Sequence, residues 1–246
     1  MFDAGDFVFT AYIAALLALT MPPAWLVLLF LPRGRTSDRL VRQWSRFIVR
    51  ASGCRMRVSG VEHLRGAGAV TLVSNHVSYI DSVVLLAAIP ADYRFVAEHG
   101  VLTWPMISTA VRKVGHLTVD RGSRAARLAC ADAMVETLRA GRSLLVYPEG
   151  RRSRREGLLP FRLGAFRAAV ASGRPVVPIA VSGTDVIVAS DRRVLRRGRI
   201  EVTIHEPIAP LGLDRSEMVR LRQRAREQIA SSLPSAVESA DAAALG

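Results

Sequence analysis

Apolar and polar positions along the chain fall into three regimes. From Phe7 to Leu31 ("FVFTAYIAALLALTMPPAWLVLLFL") there is no charged residue. From Ser37 the pattern turns amphipathic. Leu40, Val41, Trp44, Phe47 and Ile48 recur at helical spacing, with Arg39, Arg42, Arg46 and Arg50 between them. After Gly53, short apolar runs alternate with longer helical ones. They predict strands at 55–59, 69–74, 94–97, 116–119, 143–147, 175–181 and 199–204. Helices are predicted at 79–88, 103–114, 123–140, 162–172 and 215–232. The 123–140 helix sets Leu128, Val135 and Leu138 on one face and meets Gly141 as a terminator. This alternation predicts an α/β fold, a mostly parallel mixed sheet flanked by helices, preceded by a membrane-associated helical segment. The expected organisation is a helical segment at 1–52, an α/β domain at 53–233 and a disordered tail of small and polar residues at 234–246.

The first segment carries its own question. It does not resemble a secretory signal, because Asp3 and Asp6 stand where a basic region would. Pro22 and Pro23 argue against one straight helix, since proline removes a donor and clashes with the preceding turn. The run before them, about 15 residues, gives a helix of roughly 22 Å against a hydrocarbon core of about 30 Å. A kinked or re-entrant hairpin therefore competes with a true span. Arg33, Arg35, Arg39 and Arg42 follow, which puts that side at the cytoplasmic face either way. The amphipathic stretch after them is either a surface helix packed on the core or an interfacial helix with its arginines at headgroups.

Composition narrows the partners. The formal net charge is +13, carried almost wholly by arginine, in a chain that is half apolar. A basic and greasy protein points to an anionic lipid surface and away from nucleic acid, whose binders interleave basic residues with aromatics that are sparse here. Cys54 and Cys130 fit no metal or redox spacing and read as buried thiols.

The chemistry concentrates at two predicted strand ends, where open α/β sheets carry their sites. After the 69–74 strand comes "SNHVSYID", with Asn75, His76 and Asp81. Five residues along a helix turn through about 500°, which would point His76 and Asp81 about 140° apart. They meet only if His76 lies in a loop and Asp81 in the first helical turn. Ser78-Tyr79-Ile80-Asp81 supplies that break, reading as an N-cap serine with an acid three positions on. The same pattern also fits a plain capping aspartate beside a loop histidine. As a dyad, the carboxylate would fix the imidazole tautomer and make the other ring nitrogen a base for a hydroxyl attacking an acyl carbon. There is no G-x-S-x-G elbow and no cysteine near a histidine, so the hydroxyl would belong to the substrate.

After the 143–147 strand comes "YPEGRRSRREG", with Glu149, Gly150, Arg151, Arg152 and Ser153. It is either a solvated basic loop or a phosphate site, where guanidinium forks bind through paired charge-assisted bonds and glycine lets a ligand approach. Two further stretches belong with these. "GHLTVDR" holds Gly115, Asp120 and Arg121, and "RPVVPIAVSGT" holds Pro178 inside a buried strand.

These four stretches, in this order, resemble the glycerolipid acyltransferase family. The family's N-H-x4-D is matched by Asn75, His76 and Asp81, and its G-x-x-x-x-D-R by Gly115, Asp120 and Arg121. Its P-E-G-T-R-S appears as Pro148 to Ser153, and its V-P-[IV] as Val177, Pro178 and Ile179. The one departure is Arg151, where the family usually has threonine. The resemblance implies acyl transfer from an acyl-CoA or acyl-carrier-protein thioester to a lysolipid hydroxyl, at a membrane. It implies His76 as general base oriented by Asp81, and Arg152, with Glu149, Arg121 and Arg151, around the acceptor phosphate. No metal or resident cofactor is called for.

Overall fold

The computed structural model describes residues 4–120, 122–153, 157–188 and 194–234. The expected tail, from 235 on, lies outside them. Seven strands are ordered β1-β7-β6-β2-β5-β3-β4 in one sheet. They are β1 (Arg55–Ser59), β2 (Thr71–Ser74), β3 (Tyr93–Glu98), β4 (Leu117–Val119), β5 (Ser143–Val146), β6 (Val176–Ser182) and β7 (Arg199–Ile204). Every pairing is parallel except β6–β7.

Successive residues of the central strands serve two cores, because side chains alternate across a pleat. Leu72, Leu145, Val177 and Ile179 enter one, and Val73, Leu144, Val176 and Ala180 the other. With both faces covered, these strands read as continuous apolar runs. Helices α2 (Arg35–Ala51) and α3 (Asp81–Ala88) cover the first face; α5 (Arg124–Arg139), α6 (Gly164–Ser172) and α8 (Arg215–Ser231) cover the second. Two further helices are α4 (Pro105–Val114) and the single turn α7 (Thr184–Ile187).

Two expectations need correction. The buried stripe of α5 is Cys130, Met134 and Leu138, at i, i+4 and i+8, while Leu128 is 47% exposed. Pro178 does sit in a central strand, but where its missing donor does no harm. His205 N donates to the Pro178 carbonyl at 2.9 Å, just past the last β6–β7 pair, so only the final reciprocal bond is lost. Cys54 and Cys130 are both buried and unpaired.

The second correction concerns the first segment. α1 (Ala4–Phe30) is one helix through Pro22 and Pro23, about 40 Å long, and not two re-entrant halves. Bonds on either side of the proline pair hold it in place. Trp44 Nε1 donates to Thr20 Oγ1 at 3.3 Å, and Trp25 Nε1 to Thr109 Oγ1 at 3.0 Å. Its ends are fastened too. Asp6 pairs with Arg196 at 3.0 Å, Tyr12 donates to the Ala51 carbonyl at 2.7 Å, and Lys113 Nζ donates to the Leu29 and Leu31 carbonyls. Its outer face stays apolar and open, Phe30 being 84% exposed. By length and composition α1 is apolar enough to cross a membrane.

Helix α2 packs on α3 and α4, and its arginines divide. Arg42 is buried, bonded to Asp38 at 2.7 Å and to the Ile89 carbonyl at 3.1 Å, while Arg46 reaches the Ala87 carbonyl. These two satisfy carbonyls left unpaired at the end of α3, where positive charge is favoured. Arg39 and Arg50 remain exposed.

Candidate active site

The carboxyl ends of β2, β5 and β6 bring the two polar clusters together. β2 runs directly into Asn75, which is fully buried. Its amide donates to the Val181 carbonyl and accepts from the Val181 N–H, both at 2.8 Å. Asn75 thus prolongs the β2–β6 ladder by one side chain. With one amide N–H and its oxygen on β6, Asn75 fastens the loop.

The chain then leaves the sheet, and His76 turns back toward α3. His76 Nδ1 lies 2.8 Å from Asp81 Oδ2. That oxygen also accepts from the backbone N–H groups of Val77 and Ser78, each at 2.9 Å. Asp81 Oδ1 accepts from Thr184 Oγ1 at 2.6 Å. The Asp81 side chain is fully buried and that of His76 is 19% exposed. A carboxylate only accepts, so the proton of this pair sits on Nδ1, and in the neutral ring the lone pair is on Nε2.

The capping expectation is half right. α3 begins at Asp81, and the acid reaches back to the Ser78 N–H as in a capping box. The Ser78 hydroxyl instead donates to the Val188 carbonyl at 3.3 Å.

The second cluster buttresses the first. Glu149 Oε1 accepts from the His76 backbone N–H at 2.8 Å, and Oε2 from the Leu159 N–H at 3.0 Å. Burial pushes its carboxyl above the ordinary glutamate range, against the pull of those two amides. Each oxygen takes one backbone N–H, so Glu149 braces the two loops. Ser153 is buried, its N–H bonded to the His76 carbonyl at 2.8 Å and its hydroxyl to the Gly157 carbonyl. Gly150 has φ 75°, and a Cβ there would lie 2.6 Å from Arg162 Nε. Both the turn and the close approach call for glycine.

Two aromatic rings complete the site. Tyr147 stacks on His76 with centroids 4.0 Å apart and planes 13° from parallel, and its hydroxyl lies 3.1 Å from Ser82 Oγ. Burial, then the Asp81 charge, holds that hydroxyl well above the ordinary tyrosine range. Tyr79 lies under Arg152, whose guanidinium carbon is 3.2 Å from the ring centroid. Arg152 Nη1 is buried with no hydrogen-bond partner among the described residues.

These groups face one cavity of about 1170 Å³, lined by His76, Tyr79, Tyr147 and Gly150 to Ser153. Arg151 is exposed at its rim. Much of the remaining wall is apolar, with Trp25 and Leu28 from α1, Val41 and Trp44 from α2, and Met106 and Ile107 from α4. His116 also lines it. Its Nδ1 accepts from the Phe95 N–H at 3.2 Å, and burial, with Arg94 and Arg42 near, depresses it to about 3.

The remaining motif residues stand apart. Gly115 caps α4 at φ 84°, and Asp120 is exposed, its carboxylate accepting from the Gly122 N–H at 2.9 Å. Arg121 lies outside the described residues. Among those described, no three His, Cys, Asp or Glu side chains are grouped to hold a metal ion. Sequence reasoning missed Tyr79, Ser82, Tyr147 and Thr184. Thr184 had a signal, as a hydroxyl just beyond a buried strand that pairs with β2.

Residues 55–182 match the model of the acyltransferase family. Over 204 residues the chain is 33% identical to the lyso-ornithine lipid O-acyltransferase of Pseudomonas aeruginosa, covering 76% of this chain and 77% of that protein. It is 33% identical over 178 residues to the chloroplastic 1-acyl-sn-glycerol-3-phosphate acyltransferase BAT2 of Brassica napus. That match covers 72% of this chain and only 50% of the plant protein. The crystal structure of PlsC, the 1-acyl-sn-glycerophosphate (LPA) acyltransferase from Thermotoga maritima, shares the fold. Its TM-score is 0.75 over 91% of this chain and 92% of that one, at 23% identity.

Proposed function

The chain belongs to the acyltransferase family, and from that premise we propose that it moves a fatty acyl chain from a coenzyme A or acyl-carrier-protein thioester to the free hydroxyl of lysophosphatidic acid, giving phosphatidic acid. One observation carries this reading. His76, with Nδ1 on buried Asp81, lines the same large apolar-walled cavity as Arg152, whose guanidinium lies on Tyr79.

The steps follow from that geometry. His76 Nε2 takes the proton of the acceptor hydroxyl as its oxygen attacks the thioester carbonyl. The C–S bond breaks, and the imidazolium returns the proton to the departing thiolate. General-base action of this kind supplies about 10²–10⁴-fold, and positioning adds to it. Arg152 takes the acceptor phosphate, with Arg151 at the rim, and the apolar walls take acyl chains. The route uses no metal and no resident cofactor.

The same reading places α1 and α2 at a membrane. A helix bonded to the α/β body near both ends cannot cross a bilayer without breaking those bonds, so α1 lies along the surface with its open apolar face in lipid. Residues 1–52 then form the membrane-facing segment, and 53–233 the catalytic domain. Arg33, Arg35 and Arg39 favour the cytoplasmic, anionic face.

A second acceptor has its own support. The Pseudomonas relative acts, by its name, on lyso-ornithine lipid, and Arg151 departs from the family's threonine. Purified protein with acyl-CoA or acyl-carrier protein and a panel of lysolipids, read by mass spectrometry of the product, decides between them. Phosphatidic acid as the main product supports the first reading. Acylation of lyso-ornithine lipid alone selects the second, and no acyl transfer to any lysolipid overturns both.

A further inference from the structure

We propose that Tyr147 is a positioning residue for His76, holding the imidazole in plane and stabilising the imidazolium that forms when Nε2 takes a proton. The inference rests on the reading of His76 as general base.

Asp81 fixes the imidazole only along one edge. A single hydrogen bond at 2.8 Å leaves the ring free to rock about the Nδ1–Oδ2 line. Tyr147 removes that freedom, lying face to face with the imidazole at 4.0 Å and 13°. The tyrosine is itself held. Its hydroxyl bonds Ser82, and Phe95 stacks on its ring with centroids 6.2 Å apart. Ser82 follows Asp81 in α3, so one helix turn latches both the edge and the face of the imidazole.

The stack also acts on charge. A cation over a phenol face is attracted by the ring quadrupole, more strongly where water is excluded. A general base gains its positive charge as it takes the proton, so the attraction grows along the reaction. Tyr147 keeps its own proton through the working range, because burial and the Asp81 charge oppose ionisation. Charged or titratable groups around His76 include Asp81 from α3 and Glu149 on its backbone N–H, with Tyr79, Glu98, His116, Arg151 and Arg152 lining the same cavity.

The test compares wild type, Tyr147→Phe and Tyr147→Leu in the full chain, each checked for folding by circular dichroism. Tyr147→Phe keeps the stack and loses the Ser82 latch, and should retain kcat within about threefold. Tyr147→Leu should lower kcat about thirtyfold with the acceptor KM little changed. Without the ring the imidazolium is less stable, so the free base survives to lower pH. The acid limb of the kcat/KM profile should therefore move down by about half a pH unit or more. A residue that only filled space would lower the plateau and leave the limb where it was.

A readout without turnover separates this inference from the acyl-transfer reading. The downfield NMR signal of the Nδ1 proton, assigned with His76→Ala, should exchange faster in Tyr147→Leu than in Tyr147→Phe. Equal exchange in the two, or an unmoved acid limb, overturns the role of Tyr147. Faster exchange in a protein that acylates no lysolipid keeps Tyr147 as the support of His76 and overturns the reading of its reaction.

Discussion

The backbone N–H of His76 donates to Glu149 Oε1 at 2.8 Å, so the loop leaving β2 hangs on a side chain from the loop leaving β5. The other oxygen holds Leu159. Glu149→Gln offers one acceptor where two N–H groups need two, and turns an NH2 against the other donor. Turnover is expected to fall about a hundredfold, with a loss of about 1–3 kcal/mol in stability. Activity and urea denaturation measured together check this; a variant near normal in both contradicts the brace.

Asp81 receives four donors, three of them N–H groups on Oδ2. Asp81→Asn leaves one of those oxygens' partners facing an amide NH2 and should lower kcat at least a hundredfold. Thr184→Val removes only the hydroxyl on Oδ1 and should cost about tenfold in kcat. Equal effects from the two variants would mean that the Oδ1 bond is no mere support.

Tyr79 lines the cavity and lies under the Arg152 guanidinium. Tyr79→Leu should raise the acceptor KM about tenfold with little change in kcat, and Arg152→Ala should raise it further. An unchanged KM in Tyr79→Leu, measured against lysophosphatidic acid, removes the tyrosine from the acceptor site.

The strand and helix order was legible because β2, β5 and β6 are buried along nearly their whole length, and α4, α5, α6 and α8 end or begin at glycines or at capping Ser123 and Asp214. The ordered motifs marked two loops that the structure brings together. Partnerships across long separations were not legible. Nothing local assigns the Asn75 amide to Val181, the Glu149 oxygens to His76 and Leu159, or Thr184 to Asp81. Glu149 beside arginines reads as part of a phosphate site, and nothing local shows that it also holds two backbone N–H groups. Arg42 reads as a headgroup contact until the end of α3 arrives beneath it. The proline pair misled for a related reason, since a local breaking signal was overridden by bonds from Trp25 and Trp44 on either side.

His116 links stability to pH. Its folded value is lowered from 6.5 to about 3, chiefly by burial and then by Arg94 and Arg42. As pH falls below about 6.5 the unfolded chain gains a proton that the folded chain refuses, so stability is lost progressively toward about 3. Urea denaturation across that window should show a steeper loss for wild type than for His116→Phe, and parallel curves would contradict the assignment.

The central claim is that His76 is the base for an acceptor hydroxyl. The most direct measurement is thiol release from a long-chain acyl-CoA by purified protein, with and without lysophosphatidic acid, beside folded His76→Ala. The expected result is release that needs the acceptor and falls at least a hundredfold in the variant. Acceptor-dependent release that survives in His76→Ala would contradict it.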